Sequence, residues 1–371
     1  MNMQFESVTD LPRAWGEPLA SARLKSKPSD FIVREALDFD FDGEGEHLFL
    51  HIRKCGLNTS DILEQLQKRF QCGSVDIGVS GLKDKNAITD QWFSVRTPQS
   101  LEDTPLNSIL VDYSPGAEDS SSVTVPTGEF VVLESHRHSR KLRRGAHRHN
   151  RFTITLTDLN AADMQMARTE IDDRLKVISE HGFVNYFGPQ RFGINQQNLV
   201  KAERYFANPK RKMSRVQRGL LISSARSLLF NHVCAERVKQ SCWNTPLKGE
   251  PLLLDGTHSF FVNDDTAGEV DENNTAERCR ALDVHPTGPL WGQGDTLAVG
   301  ACGEFEKDCL QNYKPFTDGL EKAGLKQQRR ALRAGVEQLN WQWQESGALV
   351  LDFNLLKGVY ATSFLAEIVI N

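Results

Sequence analysis

Long apolar runs are missing from these 371 residues: none reaches the roughly 18 residues that a membrane-spanning helix needs. The stretch Met1 to Glu17 carries Glu6, Asp10 and Pro12 where a secretory leader has a basic and then an apolar run. A soluble, cytoplasmic protein is therefore expected. Cysteine is sparse and scattered: seven lie singly between Cys55 and Cys309, with no Cys-x-x-Cys pair and one left over from any complete disulfide scheme. They read as reduced, structural residues. A phosphate-binding loop is missing too. In Asp42-Gly43-Glu44-Gly45-Glu46 two glycines sit among three acids, which repel phosphate, and no Gly-Lys-Ser/Thr follows. No heptad seam is visible, so a monomer with no obligate protein partner is the expectation. The length itself suggests about two domains.

Positive charge is in slight deficit, with 44 Lys and Arg against 49 Asp and Glu and a net charge of −5. Taken alone, that balance argues weakly against a nucleic-acid partner, because phosphates reward positive surface. Its distribution argues the other way. Arg137, Arg140, Lys141, Arg143, Arg144, Arg148 and Arg151 fall in one stretch opposed only by Glu134, whereas Asp264, Asp265, Glu269, Asp271 and Glu272 cluster elsewhere. Such segregation suits an anionic partner. The two His-x-His pairs here, His136 with His138 and His147 with His149, suit zinc poorly, since arginines interleave with neutral imidazoles. A solvated loop and an RNA-backbone contact remain, and arginine favours the second because its fork binds two phosphate oxygens. Lys210, Arg211 and Lys212 open a second basic run, either a solvated face or an RNA contact. Leu221, Ala225, Leu228, Leu229 and Val233 mark an amphipathic helix beside it.

The most informative stretch runs from Val75 to Val95. Val75, Ile77 and Val79 alternate as a half-buried strand does, and Trp92, Phe93 and Val95 begin another apolar run after a polar connection. Asp84 is thereby expected at the tip of a strand-loop-strand. Between Lys83 and Lys85 its carboxylate is held ionised. Before it, Ile62, Leu63, Leu66 and Phe70 share one helical face behind the capping candidates Asn58, Thr59 and Ser60. After it, Met164, Ala167, Ile171, Leu175 and Ile178 predict a helix from about Ala161 to Glu180, stopped at Gly182. The segment Gln327 to Arg333 has helical residue preference, and Leu349, Leu351, Phe353 and Leu355 alternate as a strand.

The run Gly81-Leu82-Lys83-Asp84-Lys85-x-Ala87-x-Thr89-x-Gln91 closely resembles the signature of the tRNA pseudouridine synthase D family. The likeness continues in family order through Pro28 to Val33, Asn150-Arg151-Phe152, Asn185 to Gly193, His285 to Leu290 and Gly358 to Ser363, and so covers nearly the whole chain. Two places depart from the pattern: His149 stands where the family usually has glycine, and Leu356 and Lys357 stand where it often has proline.

The resemblance implies an α+β (mixed α/β) fold. Its pseudouridine-synthase catalytic domain, with a mainly antiparallel mixed sheet, would comprise residues 1–181 and 335–371. An inserted α/β TRUD domain would span 182–334. It also implies conversion of uridine to pseudouridine in tRNA, typically at uridine 13, by a catalytic aspartate matching Asp84 and without a cofactor or metal. Lys25 matches a lysine that pairs with that carboxylate. Phe31, Phe152 and Tyr360 match aromatics of the substrate site, and Asn150 matches an asparagine that helps bind the target nucleotide. Read without the family, Lys25 is a surface lysine, Asn150 a turn-capping residue and Tyr360 a core tyrosine. The RNA-backbone candidates are Arg140, Lys141, Arg143, Arg144, Lys210, Arg211 and Lys212. Rival functions are a tRNA-binding protein without turnover and a hydrolase using Asp84 and Asp90 as a carboxylate pair.

Overall fold

The computed structural model describes residue 8 and residues 10–97, 124–209, 212–263 and 272–370. The chain divides into two compact units, one of residues 21–160 and 337–358, the other of residues 1–20, 161–336 and 359–370. This division differs from the expected boundaries, because residues 1–20, 161–181 and 359–370 group with the central segment.

The first unit is a mixed, mostly antiparallel sheet. Its strands in chain order are β1 (Ala20–Arg23), β2 (Phe31–Ala36), β3 (His47–Cys55), β4 (Ile77–Val79), β5 (Ile88–Arg96), β6 (Glu129–His138) and β7 (His149–Asn160), and two late strands join them, β15 (Glu337–Trp343) and β16 (Leu349–Leu356). They lie in the order β15-β16-β7-β2-β5-β3-β6, with β4 on β5 and β1 on β7. Only the pairing of β2 with β5 is parallel among those whose register is given. Alternation decides the faces. Leu50 and Ile52 of β3 and Phe93 and Val95 of β5 turn to helix α1 (Thr59–Phe70), where Ile62 and Leu66 complete a core. Phe49 and Trp92 point to the other face and meet Leu142. The expected strand of Leu349, Leu351, Phe353 and Leu355 is β16, with all four fully buried. The cap of α1 is Asn58, which trades bonds with Asp61.

One local expectation fails beside the key loop. Ser74–Asp76 is a turn of 3-10 helix and Val75 is 78% exposed, so the strand starts at Ile77 and the alternation read from Val75 is coincidental.

The second unit has its core around α4 (Arg215–Lys239), a 25-residue helix that buries Leu221, Ala225, Leu228, Leu229 and Val233 as the spacing predicts. Helix α2 (Met164–His181) begins three residues later than expected, because the Asp163 side chain accepts from the Gln165 and Met166 N–H groups. It ends at Gly182, whose φ of 76° a side chain would strain. The short strands β8 (Phe183–Val184), β9 (Glu250–Leu254), β10 (Phe260–Asn263), β11 (Val284–His285), β12 (Thr287–Leu290), β13 (Gln328–Ala331) and β14 (Arg333–Ala334) alternate with α3 (Gln197–Ala207), α5 (Glu272–Arg280), α6 (Gly300–Leu310) and α7 (Lys314–Lys322). The helical preference of Gln327 to Arg333 is therefore overruled. Gln328–Ala331 pairs with Thr287–Leu290, and Arg329 reaches the buried Glu306, contacts that a helix there would forfeit. Among the described residues no helix is long and apolar enough to cross a membrane.

Candidate active site

Asp84 lies in the loop between β4 and β5, and that loop is tied down along its length. The Ser80 hydroxyl accepts from the His147 backbone N–H at 3.0 Å and meets the His147 ring. Gln91 Nε2 donates to the Gly81 carbonyl at 3.1 Å, and Lys83 N–H donates to the Thr59 hydroxyl, at the start of α1, at 3.1 Å. Lys54, wholly buried at the end of β3, donates from Nζ to the Asp84 carbonyl at 2.8 Å. Bonds from four directions fix a segment that would otherwise be a mobile hairpin tip.

The Asp84 carboxylate itself is left partly open, with 42% of its side chain exposed. Oδ1 accepts from the Asn86 N–H at 3.0 Å and Oδ2 accepts from Lys25 Nζ. Partial burial works to raise the carboxyl, but the Lys25 bond, the Asn86 N–H and the charges of Lys25 and Lys54 outweigh it and hold it below 3.8. An ion pair this exposed contributes only about 0–1 kcal/mol to stability. Its consequence is orientation and charge. Lys25 has a φ of 59°, a left-handed conformation that costs a non-glycine residue about 1–2 kcal/mol, and its ammonium also lies 4.3 Å from the centre of the Phe31 ring. Burial lowers the Lys54 ammonium to about 8, opposed by the charge of Asp84.

The expected aromatics form a file beneath that lysine. Phe31 meets Phe152 edge to face at 6.1 Å, and Phe152 stacks on Phe353 at 5.3 Å. Cross-strand register brings this about: Phe152 sits opposite Phe353 on β16 and opposite Val33 on β2. Asn150, two residues earlier on β7, is buried, and its Oδ1 accepts from Lys83 Nζ at 2.8 Å. Asp84, Lys25, Phe31, Phe152, Asn150 and Lys83 thus belong to one unit. Tyr360 belongs to the other, where its hydroxyl accepts from Arg191 at 3.0 and 2.5 Å.

Lys83 also donates to the buried Glu35 at 2.7 Å, and the second Glu35 oxygen accepts the Trp92 N–H at 3.0 Å. Glu35 and Lys54 are not among the sequence candidates, and His147, weighed there only as half of a zinc pair, proves to bond to Ser80 and Asn150. Alternation could have found Glu35, since Phe31, Val33 and Glu35 share the inward face of β2, and an acid at a core position needs a partner. Asp90 is unavailable for a carboxylate pair: it is wholly buried, and Arg53 donates to both of its oxygens at 2.7 Å.

The basic stretch after β6 crosses over β4, where Gly78 leaves room for the Leu142 carbonyl that a Cβ would strike. Arg140, Arg143 and Arg144 are exposed, while Lys141 is half-buried and donates to the Val75 carbonyl at 2.5 Å. A pocket of about 440 Å³ beside them is lined by Phe39, Phe49, His138 and Leu142 as well as by Arg140, Lys141 and Arg143. The histidines of the first His-x-His pair bond to acids and stack on rings: His136 to Glu134 at 2.9 Å and on Phe41, His138 to Asp42 at 3.0 Å and on Phe39. Glu134, held by His51 and His136, is lowered to about 2. Of the second basic run, Lys210 and Arg211 lie outside the described residues, and Lys212 is exposed.

The sequence model of the family described as tRNA pseudouridine synthase D matches residues 13–202 and 196–368. A Nitrosococcus oceani protein named tRNA pseudouridine synthase D is 42% identical over 353 residues, 95% of this chain and 91% of the relative. A Methylococcus capsulatus protein of the same name is 39% identical over 360 residues, 97% and 94% of the two chains. Among solved structures, a Methanosarcina mazei protein described as a tRNA pseudouridine synthase D candidate has the same fold, with a TM-score of 0.66 at 19% identity over 98% of this chain and 95% of its own. With its sheet, its Asp84 loop and these relatives, the chain belongs to the tRNA pseudouridine synthase D family.

Proposed function

We propose that this protein converts uridine to pseudouridine in tRNA, at uridine 13, with Asp84 as the catalytic carboxylate. The observation that carries the reading is a carboxylate kept ionised by Lys25 and the Asn86 N–H, yet partly open, on a loop fastened from four directions. The target base must leave its stack to reach such a group, at a cost of a few kcal/mol that phosphate and stacking contacts offset. Asp84 then attacks the nucleotide or takes a proton from its sugar. The bond from N1 to C1′ breaks, uracil turns, and C5 bonds to C1′; C5 gives up its proton and N1 gains one, so the reaction is an isomerisation.

Phe31, Phe152 and Asn150 hold the extruded nucleotide, Lys25 orients Asp84, and Tyr360 keeps the substrate role that the family resemblance gives it. Arg140, Arg143, Arg144 and Lys210 to Lys212 meet phosphates, which suits their charge and the exposure of those described. Residues 182–334 form the insertion in this reading, because compactness and insertion are different properties. A cytoplasmic location, where tRNA is found, and a monomer that needs no further protein complete the reading. The test is nucleoside analysis of tRNA incubated with the protein. Pseudouridine at position 13, lost in Asp84→Asn, supports the reading; tRNA bound but unchanged by the unaltered protein overturns it.

A further inference from the structure

Asn150 has a side chain whose two ends are nearly the same shape and opposite in hydrogen-bonding sense. Its orientation here is forced. An ammonium has only donors, so the Asn150 atom that meets Lys83 Nζ at 2.8 Å is Oδ1. Nδ2 then faces His147 Nε2 at 3.4 Å, which requires Nε2 to accept and Nδ1–H to donate to the Ser80 hydroxyl. Burial lowers the His147 imidazole, so the neutral ring this needs is the one present. Lys83 in turn cannot swing away, because the buried carboxylate of Glu35 holds it at 2.7 Å and is itself fixed by the Trp92 N–H. The chain of donors therefore runs in one direction from Lys83 through Asn150 to Ser80.

Resting on the reading that Asn150 meets the target base, we infer that Lys83, held by Glu35, sets the Asn150 amide in one orientation and thereby makes the site select uracil over cytosine. With its first lone pair taken by Lys83 and its first proton given to His147, Asn150 still offers one acceptor on Oδ1 and one donor on Nδ2. Uracil presents a donor at N3 beside acceptors at O2 and O4, and this edge matches. Cytosine presents an acceptor at N3 beside an amine at C4, which matches only the turned amide. Turning it would set an amide NH2 against the Lys83 ammonium in a buried place, two donors with no acceptor between them. Lys83 is thus a positioning residue for specificity, distinct from its neighbour Asp84, which touches the reacting nucleotide.

The test uses two tRNA transcripts that differ only in uridine or cytidine at the target position, the cytidine transcript serving as inhibitor of uridine isomerisation. The readout is the ratio of its inhibition constant to the KM for the uridine transcript, in the full-length protein and in variants shown to be folded by thermal melting. The unaltered protein should favour uridine at least about tenfold, the factor that 1.4 kcal/mol provides. Lys83→Gln, which carries both a donor and an acceptor and so lets the amide turn, should bring the ratio to within about threefold of one. Lys83→Met should do the same, whereas Lys83→Arg, another donor-only cation, should keep the preference. A ratio near one in the unaltered protein overturns the inference, as does a Lys83→Gln variant that loses rate but keeps its uridine preference. Asn150→Ala separates the two layers. If it changes neither rate nor ratio, the reading of Asn150 at the base has failed; if it abolishes the preference and Lys83→Gln does not, only the inference about Lys83 has.

Discussion

Asp84 in the sheet unit and Glu250 in the helical unit are both carboxylates bonded to a basic side chain, and their surroundings are opposite. Glu250 is wholly buried; Arg237 Nη1 and Nη2 reach its two oxygens at 3.1 Å, and the Leu247 and Thr287 N–H groups bond to it at 2.7 and 3.0 Å. Arg237 also donates from Nε to the Cys242 carbonyl and from Nη2 to the Thr245 carbonyl. Asp84 receives one N–H and one ammonium and keeps 42% of its side chain exposed. A carboxylate saturated with donors in a dry place can hold three segments together, but it has nothing left to give a substrate. One that is charged and only partly satisfied contributes little to stability and keeps its reactivity. The loop around Asp84 compensates: Lys54, Thr59 and Gln91 hold its backbone, His147 holds the Ser80 side chain, and the carboxylate is left open.

This contrast predicts a double dissociation, and the largest effects come first. Asp84→Asn should lower pseudouridine formation by about 10²–10⁴-fold or more, with the melting temperature nearly unchanged. Arg237→Met should do the reverse, costing about 3–5 kcal/mol of stability because Glu250 is left charged and buried, with activity per folded molecule preserved. Denaturant unfolding and single-turnover assays on both variants check the pair. Equal loss of stability in the two would break the comparison.

Lys54→Met tests whether the loop, as distinct from the carboxylate, needs its anchor. Losing a charge-assisted bond to the Asp84 carbonyl should lower the single-turnover rate about tenfold or more while tRNA binding stays within a few fold. The same variant has a pH signature. Lys54 titrates near 8 in the folded chain and near 10.5 when unfolded, so between those values the unfolded chain binds more protons and stability rises with pH. Melting temperatures across that window should climb less steeply in Lys54→Met than in the unaltered protein.

The basic stretch carries a smaller and separable effect. Lys141 is tied to the Val75 carbonyl, so the cleaner variant replaces only Arg140, Arg143 and Arg144 with Gln. It should weaken target and non-target tRNA alike and flatten the slope of log K against log salt by roughly 0.7–0.9 for each lost contact. An unchanged slope in folded protein would move the RNA path to Lys210, Arg211 and Lys212.

The smallest expected effect is the acid limb of activity. The Asp84 carboxyl lies below 3.8, so its charge and the modest stability of its pairing persist above the ordinary carboxylate value and fade only as pH falls through the lowered one. The rate should therefore show no carboxylate titration between about pH 5 and 7. A limb in that interval that matches the titration of the Asp84 carboxyl followed directly by NMR would contradict the lowered value.

The sequence by itself determined the strand-loop-strand that carries Asp84, the amphipathic faces of α1, α2 and α4, and the family. Each of these is local: periodicity, a cap or a contiguous motif records it. Tertiary structure alone decided what lies beside what. Gln328–Ala331 became a strand because Thr287–Leu290 offered it a ladder, against its own preference. Val75 lost its place in a strand that its neighbours kept. The net around Lys83, with Glu35 from β2, Asn150 from β7 and Ser80 from its own loop, joins residues more than a hundred positions apart in sequence. No pattern along the chain encodes such a net, because hydrogen bonds depend on direction and distance in space, and strand register sets both only once the sheet has closed.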